Sequence, residues 1–583
     1  MVYHPSGGFR VGSGGQNSGE LRNAPDVSTT GTASTFTITG TSPTLQGNSN
    51  TSSASNLAAR NNAGIDLTGT NTATLSSEFP TGFNAFYSMK YEISQQQYVD
   101  FLNTLTYSQQ VSRTATSPNS SSGTGALNST NNFRNGIDIQ TSGTESSIPA
   151  LYACNFNGNS TYNEADDGQT IACNFLSWDD VAAFLDWAAL RPMTELEFEK
   201  AARGSANPVI NEFAWGSSSA IAATGISNAG LINELASTSS NIVYNNILSS
   251  GPIRTGMFAT NGSSRTNSGA GYYGAMELSG NLWERCVTVG NSSGRSFSPS
   301  NGDGSISNSG AANVNGWSSL SGIGYKGGSW QTNVGNAAAI SDRVYAAYAD
   351  NVRYEDGGGR GARSDLNTIV GNGLQVWFDA GVPASYSGNG TTWTDLSGNN
   401  YHGTLVNGTG YNSANGGSLQ FDGINDYVTL TKPSALVNGG TITICLFAKW
   451  ITTGTSVSTI KILVDNNHTG TQGFVIQDRP DLSKILSWGG LNSSYQVGNG
   501  NWVFIAVTQS TTNSYMYING SLHAQTTISG GLVNLQPNLY IGAWGAGGRY
   551  LNGNIGNVLI YNRALSATEI SQNFNALKSR FGL

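Results

Sequence analysis

Tyr325-Lys-Gly-Gly-Ser-Trp330 and the arginine-punctuated run behind it, Ser341-Asp-Arg343, Arg353 and Gly357-Gly-Gly-Arg360-Gly-Ala-Arg363, decide how the first part of the chain reads. Paired glycines ahead of Ser-Trp call for a backbone that bulky residues do not adopt. The arginines recur in a segment with little other charge. Before this stretch the sequence mixes helical and strand patterns. After it, short strands between Gly/Asn turns take over. The stretch therefore closes one domain just before another opens.

Composition sets the frame. A chain of 583 residues exceeds a single core, so two to four domains are expected. Charged residues make up 11% of it, against roughly 25% in ordinary globular chains. The 12 Trp, 24 Tyr and 21 Phe supply core material, which excludes a charged disordered chain. The balance resembles extracellular, β-rich, turn-rich proteins. A net charge of −8 with no basic run argues against a nucleic-acid partner and against a polybasic membrane patch. No apolar stretch approaches the roughly 20 residues of a membrane span. The opening Met1-Val-Tyr-His-Pro enters domain-like sequence at once, so a secreted form would have its leader removed or upstream. Cys154 and Cys173 stand in matching contexts, either as a disulfide or as two buried thiols on neighbouring strands. Cys286 and Cys445 read as core residues.

Three helix starts are legible. Ser94 caps a helix over Gln95–Leu105, Ser177-Trp-Asp-Asp180 forms a capping box, and Thr194 caps a helix with Glu197 at its third position and Gly204 at its stop. Two Ser/Thr/Asn/Gly-rich stretches, near 41–76 and 106–147, read as excursions that project outwards or contact neighbouring copies. Between them and the second helix, Asn155 to Gly168 has the oxygen spacing of a calcium loop. Asn155, Asn157, Asn159, the Thr161 carbonyl, Asn163 and Asp166 are the expected ligands, with an Asx-rich turn as the alternative.

The blocks Lys90-Tyr-Glu-Ile-Ser, Ser177-Trp-Asp-Asp, Arg191-Pro-Met-Thr-Glu-Leu-Glu-Phe-Glu-Lys-Ala-Ala-Arg-Gly204, Phe213-Ala-Trp-Gly, Gly274-Ala-Met-Glu-Leu-Ser-Gly-Asn-Leu-Trp-Glu284 and Lys326-Gly-Gly-Ser-Trp330 follow one another in order. Together they resemble the formylglycine-generating enzyme (sulfatase-modifying factor) family across residues 1–363. The resemblance implies an α+β fold shared with C-type-lectin-like domains. It also implies calcium at Ser279, Gly280, Leu282 and Glu284, the alternative being a Glu284 that bridges an internal arginine such as Arg343. After a linker at 364–373, residues 374–583 carry short strands such as Trp502-Val-Phe-Ile-Ala-Val507 and a capping box at Ser566. Their order resembles a laminin-G-like, concanavalin-A-like jelly roll.

The family's oxidation chemistry requires a cysteine pair as copper(I) thiolates in its final segment, because copper(I) favours soft sulfur ligands. Between Trp330 and Arg363 there is no cysteine, and Asp342 stands where one is common. A three-histidine iron site, used by a sister branch, finds only His4, His402, His468 and His523 in the whole chain. Neither copper, iron nor a nucleotide is expected; calcium is the candidate cofactor. In the jelly roll, Asp379, Asp395, Asp422 and Asp426 read as turn caps or metal ligands ahead of glycosidase carboxylates. The arginines read as internal forks to carboxylates and carbonyls. The residues between them are expected to face outwards as a ligand surface: Trp330, Gln331, Asn333, Asn336, Tyr345, Tyr348, Asn351, Arg353 and Tyr354.

The expectation is thus a non-catalytic extracellular or cell-surface protein, alternatively on a virion. Its partners would be glycans or surface proteins, or further copies in a fibre or filament. A divergent metal-dependent oxidase or glycan hydrolase is the alternative.

Overall fold

Ser94, Ser177 and Thr194 each cap a helix with reciprocal side-chain bonds, as their spacing predicts: α1 (Gln95–Leu102), α3 (Trp178–Trp187) and α4 (Glu195–Arg203), with α2 (Tyr107–Arg113) capped likewise by Thr106. The computed structural model describes residues 1–14, 19–21, 35–40, 43–46, 72–76, 79–128, 132–246, 251–332, 337–364, 369–452, 454–466, 473–482, 485–488, 491–496, 498–545 and 547–583. The chain divides into two units, Met1–Asp365 and Leu366–Leu583.

In the first unit the ends of the domain meet in one sheet. The strand Phe86–Ser88 lies between Val2–His4 and Gly361–Ser364, with Ser88 opposite both Val2 and Ala362. Arg191–Pro192 pairs with the other edge of Gly361–Ser364. A second sheet sets Trp283–Val287 between Ile323–Lys326, antiparallel, and Gly357–Gly358, parallel. Three motifs far apart in sequence thereby become neighbours. Gly327 and Gly328 hold φ of +90° and +71°, and a Cβ on Gly328 would stand 2.9 Å from the Ala338 Cα. That is why the turn behind Lys326 needs glycines.

Two expectations are corrected here. The stretch 106–147 is no outward excursion. Tyr107, Ala126, Leu127, Ile137 and Ile139 are buried, and Ile137–Thr141 pairs with Leu151–Cys154. Its polar residues are absorbed by internal partners: the buried Gln110 amide donates to the Leu102 and Ala150 carbonyls and accepts the Ala150 N–H. A low-complexity stretch can be core when its few apolar residues align and its amides find backbone groups. The first helix also stops at Leu102 rather than Leu105, because Asn103 turns to bond both backbone groups of Tyr152. Of the stretch 41–76, residues 47–71 lie outside the described residues, while its flanks pair as Thr44–Gln46 with Thr72–Thr74. Within the expected linker, Ser364 belongs to the first unit's sheet and Val370 is buried in the second unit; residues 365–368 are outside the description.

The second unit is a sandwich of two eight-stranded antiparallel sheets. Ile442–Trp450 is apolar at nearly every position, and both its faces are buried. Ile444, Leu446 and Ala448 enter the core between the sheets, while Cys445 and Phe447 pack outwards with Phe504, Tyr561 and the last helix, Ala567–Leu577. A strand covered on both faces loses the usual alternation. Ser566 caps that last helix with Glu569.

Candidate functional site

The centre of the first unit is built from α4. Its charged residues Glu195, Glu197, Glu199, Lys200 and Arg203 are all buried. Unpaired, they could not be there, so each has a partner. Arg343 donates through Nε and Nη2 to Glu195 at 2.5 and 2.9 Å. Arg191 makes a similar fork to Glu197 at 2.8 and 2.6 Å. Glu199 accepts from Gly12 N, Arg203 Nη1 and Ser341 Oγ, and Arg203 also reaches Glu212 and Ser341. Lys200 donates to the Gly82 carbonyl. Lys326, ahead of the glycines, donates to the Asp342 carbonyl at 2.7 Å. Burial pulls its pKa down, with Glu199 and Glu195 opposing.

A second buried charge group surrounds Arg360. It donates to Glu284 at 2.7 Å and to the Met276 and Lys90 carbonyls. Glu92 and Glu277 lie close by, and burial raises both above the usual glutamate range; the Glu284 charge adds to the rise of Glu92, while Arg360 opposes that of Glu277, which is still pushed up to about 7. Glu92 accepts from Asn281 Nδ2 and Leu282 N. So the arginine partner of Glu284 is Arg360, not Arg343. Ser279 and Leu282 are likewise buried, with Ser279 Oγ accepting from Ala214 N and Gly280 N–H bonded to the Gly327 carbonyl.

Copper(I) would need thiolates in this segment, and the residues present do not fit it. Asp342, at the position of a common cysteine, uses its Oδ1 to accept Val344 N. Cys286 is buried on the strand Trp283–Val287, opposite Gly324, and burial raises its thiol well above the usual range. Cys154 and Cys173 are free thiols in another core cluster.

The predicted ligand surface divides. Trp330 is buried, at 2% exposure, with its ring 5.8 Å from Phe133. This corrects its expected outward position: the positive-φ glycines turn its side chain into the core. Arg353 is also turned inwards, forked onto Asp180 at 2.7 and 2.9 Å. Asn351 is exposed and donates to Asp179 at 2.8 Å. Gln331 is half-buried against Glu355. Asn333 and Asn336 lie outside the described residues. Tyr345, Tyr348 and Tyr354 remain half-buried at the surface. Their ring partners, not foreseen from sequence, are Trp283, 5.3 Å from Tyr345, and Tyr325, 6.5 Å from Tyr348. Tyr325 donates to Asp350 at 2.7 Å, and Arg285 lies over its ring at 4.7 Å. The available signal was the strand pairing of the Gly-Asn-Leu-Trp-Glu and Lys-Gly-Gly-Ser-Trp blocks, which puts Arg285 opposite Tyr325. The outcome is a ring cluster of Trp283, Tyr325, Tyr345 and Tyr348, in which Tyr325 is buried and holds the Asp350 carboxylate.

In the loop 155–168 the expected amide ligands are spent on backbone. The Oδ1 atoms of Asn155, Asn157 and Asn159 accept the N–H groups of Ser160, Asn159 and Thr161. In the jelly roll, Asp395 accepts Trp377, Ser397 and Tyr401 N–H groups, Asp422 caps Ile424 and Asn425, Asp426 accepts Asp422 N, and Asp379 pairs with Arg580 at 2.6 Å. These carboxylates hold turns and a helix end.

Residues 62–350 match the sulfatase-modifying factor enzyme 1-like domain, and residues 422–571 match the concanavalin A-like lectin/glucanases superfamily. No curated protein matches the chain. Solved structures similar to it include one from work on botulinum neurotoxin type C, whose cell entry depends upon interaction with two ganglioside molecules (17% identity over 36% of this chain and 52% of that one, TM-score 0.28). Others are the receptor binding domain of botulinum neurotoxin type G (14%, 35% and 51%, TM-score 0.27) and the binding domain of Paraclostridial mosquitocidal protein 1 (18%, 35% and 52%, TM-score 0.28). The chain spans about half the length of these structures, and a likeness at these scores carries no argument about function. The chain therefore carries a sulfatase-modifying factor enzyme 1-like domain of α+β fold followed by a concanavalin A-like jelly-roll domain.

Proposed function

We propose that this chain is a non-catalytic extracellular binding protein that meets a glycan or a surface protein, in adhesion or in assembly of a fibre, filament or virion surface. One observation carries the reading. The segment that would supply the oxidase's sulfur ligands has none, and its cations are committed to internal carboxylates and carbonyls. What that segment leaves at the surface is a pair of packed rings, Tyr345 and Tyr348, with Tyr345 against Trp283, and the half-buried Tyr354. Half-buried aromatic rings with amides nearby stack on sugar rings or protein side chains at low entropic cost. The lectin-type domain that follows is in keeping with a binding role.

The test is a glycan array with the full chain, followed by the same array with Tyr345→Ala/Tyr348→Ala. Binding that the double substitution weakens supports the aromatic face. In parallel, oxygen uptake is measured with a cysteine-containing peptide under copper titration. Copper-dependent turnover would overturn the non-catalytic reading.

A further inference from the structure

Three carboxylates of the loop after Cys154, those of Glu164, Asp166 and Asp167, bring oxygens within 4.8 Å of one another. None of them is in an ion pair among the described residues. The nearby guanidinium of Arg134 lies over the Phe156 ring and pairs with Glu234 instead. Like charges this close repel, and an exposed cluster would relax by spreading into water. Asp167, fully buried, cannot do so, although Glu164 is half-buried and Asp166 exposed.

A second observation points the same way. Asp167 Oδ2 accepts the Glu164 N–H at 2.7 Å, but its Oδ1 is buried with no partner. Asp138, from the separate strand Ile137–Thr141, is also fully buried. Asn155 donates to its Oδ2 at 2.8 Å, while its Oδ1 too has no partner. Burial pushes the Asp138 carboxyl up to about 6, the Asn155 bond opposing and the nearby Asp167 charge adding to the rise. Buried carboxylate oxygens without donors are costly and call for an ion or its equivalent.

The neighbouring amides support the same arrangement. Asn157 donates to Asp166 at 3.1 Å and Asn159 to Glu164 at 2.6 Å. These bonds fix the carboxylates in place. Asn157 and Asn159 thus orient the donors instead of serving as donors.

We propose that Glu164, Asp166 and Asp167 bind one divalent cation, and that the cation is calcium. The donors are all hard oxygens, which suit calcium or magnesium. Three carboxylates of unequal burial on an irregular loop fit the larger, more tolerant coordination shell of calcium better than the strict octahedron of magnesium.

The experiment uses the full chain and the metal alone. Terbium luminescence, displaced by calcium, reports occupancy, and thermal unfolding is followed in EGTA and in millimolar calcium. The expected result is a higher Tm in calcium and at least tenfold weaker calcium binding in Glu164→Gln and in Asp166→Asn, whose side chains lie towards solvent and whose Tm in EGTA stays at or above wild type. Asp167→Asn, which removes a buried orphan charge, should raise the Tm in EGTA but not in calcium. The proposal is overturned if calcium leaves the Tm unchanged, or if the shift is the same in Glu164→Gln and Asp166→Asn as in wild type. It is overturned equally if Asp167→Asn stabilises to the same extent with and without calcium, and an equal response to magnesium overturns the choice of calcium.

Discussion

Replacing Arg343 with Met separates a structural arginine from a ligand-binding one. The guanidinium is buried, its Nε and Nη2 reach Glu195 at 2.5 and 2.9 Å, and its Nη1 donates to the Gly19 carbonyl at 3.1 Å. Glu195 also accepts Thr288 Oγ1 and Val289 N, so its carboxylate cannot leave when Arg343 is gone. Breaking one side of such a buried pair costs about 3–5 kcal/mol, because a charge remains in the interior. Met fills much of the lost volume, so the cavity contribution is small. The pH dependence gives a second, sharper signature. In the wild type, burial works against the Glu195 charge, but Arg343 outweighs it, and the carboxyl sits below its ordinary value. A depressed carboxyl contributes stability that is present above the unfolded pKa and lost as pH falls through the folded one. Without Arg343, burial is unopposed by that arginine and the sign reverses, so Arg343→Met should gain stability as the pH falls from 7 towards 4.5. Urea unfolding of the full chain at pH 7 and pH 5 measures both effects. Adding Glu195→Gln should recover most of the loss at pH 7, since no charge is left behind. The reasoning is refuted if Arg343→Met lies within about 1 kcal/mol of wild type at pH 7, or if the double variant is no more stable than the single one.

Other outcomes follow from the same geometry. Glu277 has a raised pKa, so the folded state is penalised progressively as pH rises from the unfolded value of 4.5 to the folded value of about 7. Glu277→Gln should therefore stabilise the chain at pH 8, leave it unchanged near pH 4, and flatten the slope between; equal effects at both pH values would contradict this. All four cysteines are free and buried, with the Cys154 and Cys445 thiols pushed up to about 12. Ellman's reagent should react slowly with the native chain and count four thiols in denaturant without reductant, whereas a count of two would reveal a disulfide. Phe447, packed against Phe504 and Phe581 between sheet and last helix, should cost about 3–5 kcal/mol on change to Ala. A midpoint shift in urea checks that value. The half-buried Tyr348 changed to Ala should cost about 1 kcal/mol or less while weakening ligand capture in the array.

Much of the molecule is decided locally and is legible in order along the chain. Caps need only a Ser or Thr three residues before a Glu, Gln or Asp, and Ser94, Ser177, Thr194 and Ser566 all cap as their spacing demands. The jelly roll is similarly announced by short apolar runs between Gly and Asn turns. The absence of cysteine between Trp330 and Arg363 is a fact of sequence.

Partners across space were not legible in this way. Glu284 could have met Arg343 or Arg360, and only the parallel pairing of Trp283–Val287 with Gly357–Gly358 brings it to Arg360. The stretch 106–147 has a polar composition in any window, yet the pairing of Ile137–Thr141 with Leu151–Cys154 buries it. The Asn ladder of 155–159 has a calcium spacing, but backbone N–H groups take its oxygens and the exposed charge shifts to Glu164 and Asp166. Trp330 sits in a motif that reads as a surface loop. The left-handed Gly327-Gly328 pair turns the chain so that the indole goes inwards, and the tyrosines after it form the outer face. Backbone preference acts within a few residues and so can be read from sequence. The choice of partner for a charge or a ring depends on which distant strands lie side by side, and only the tertiary structure decides that.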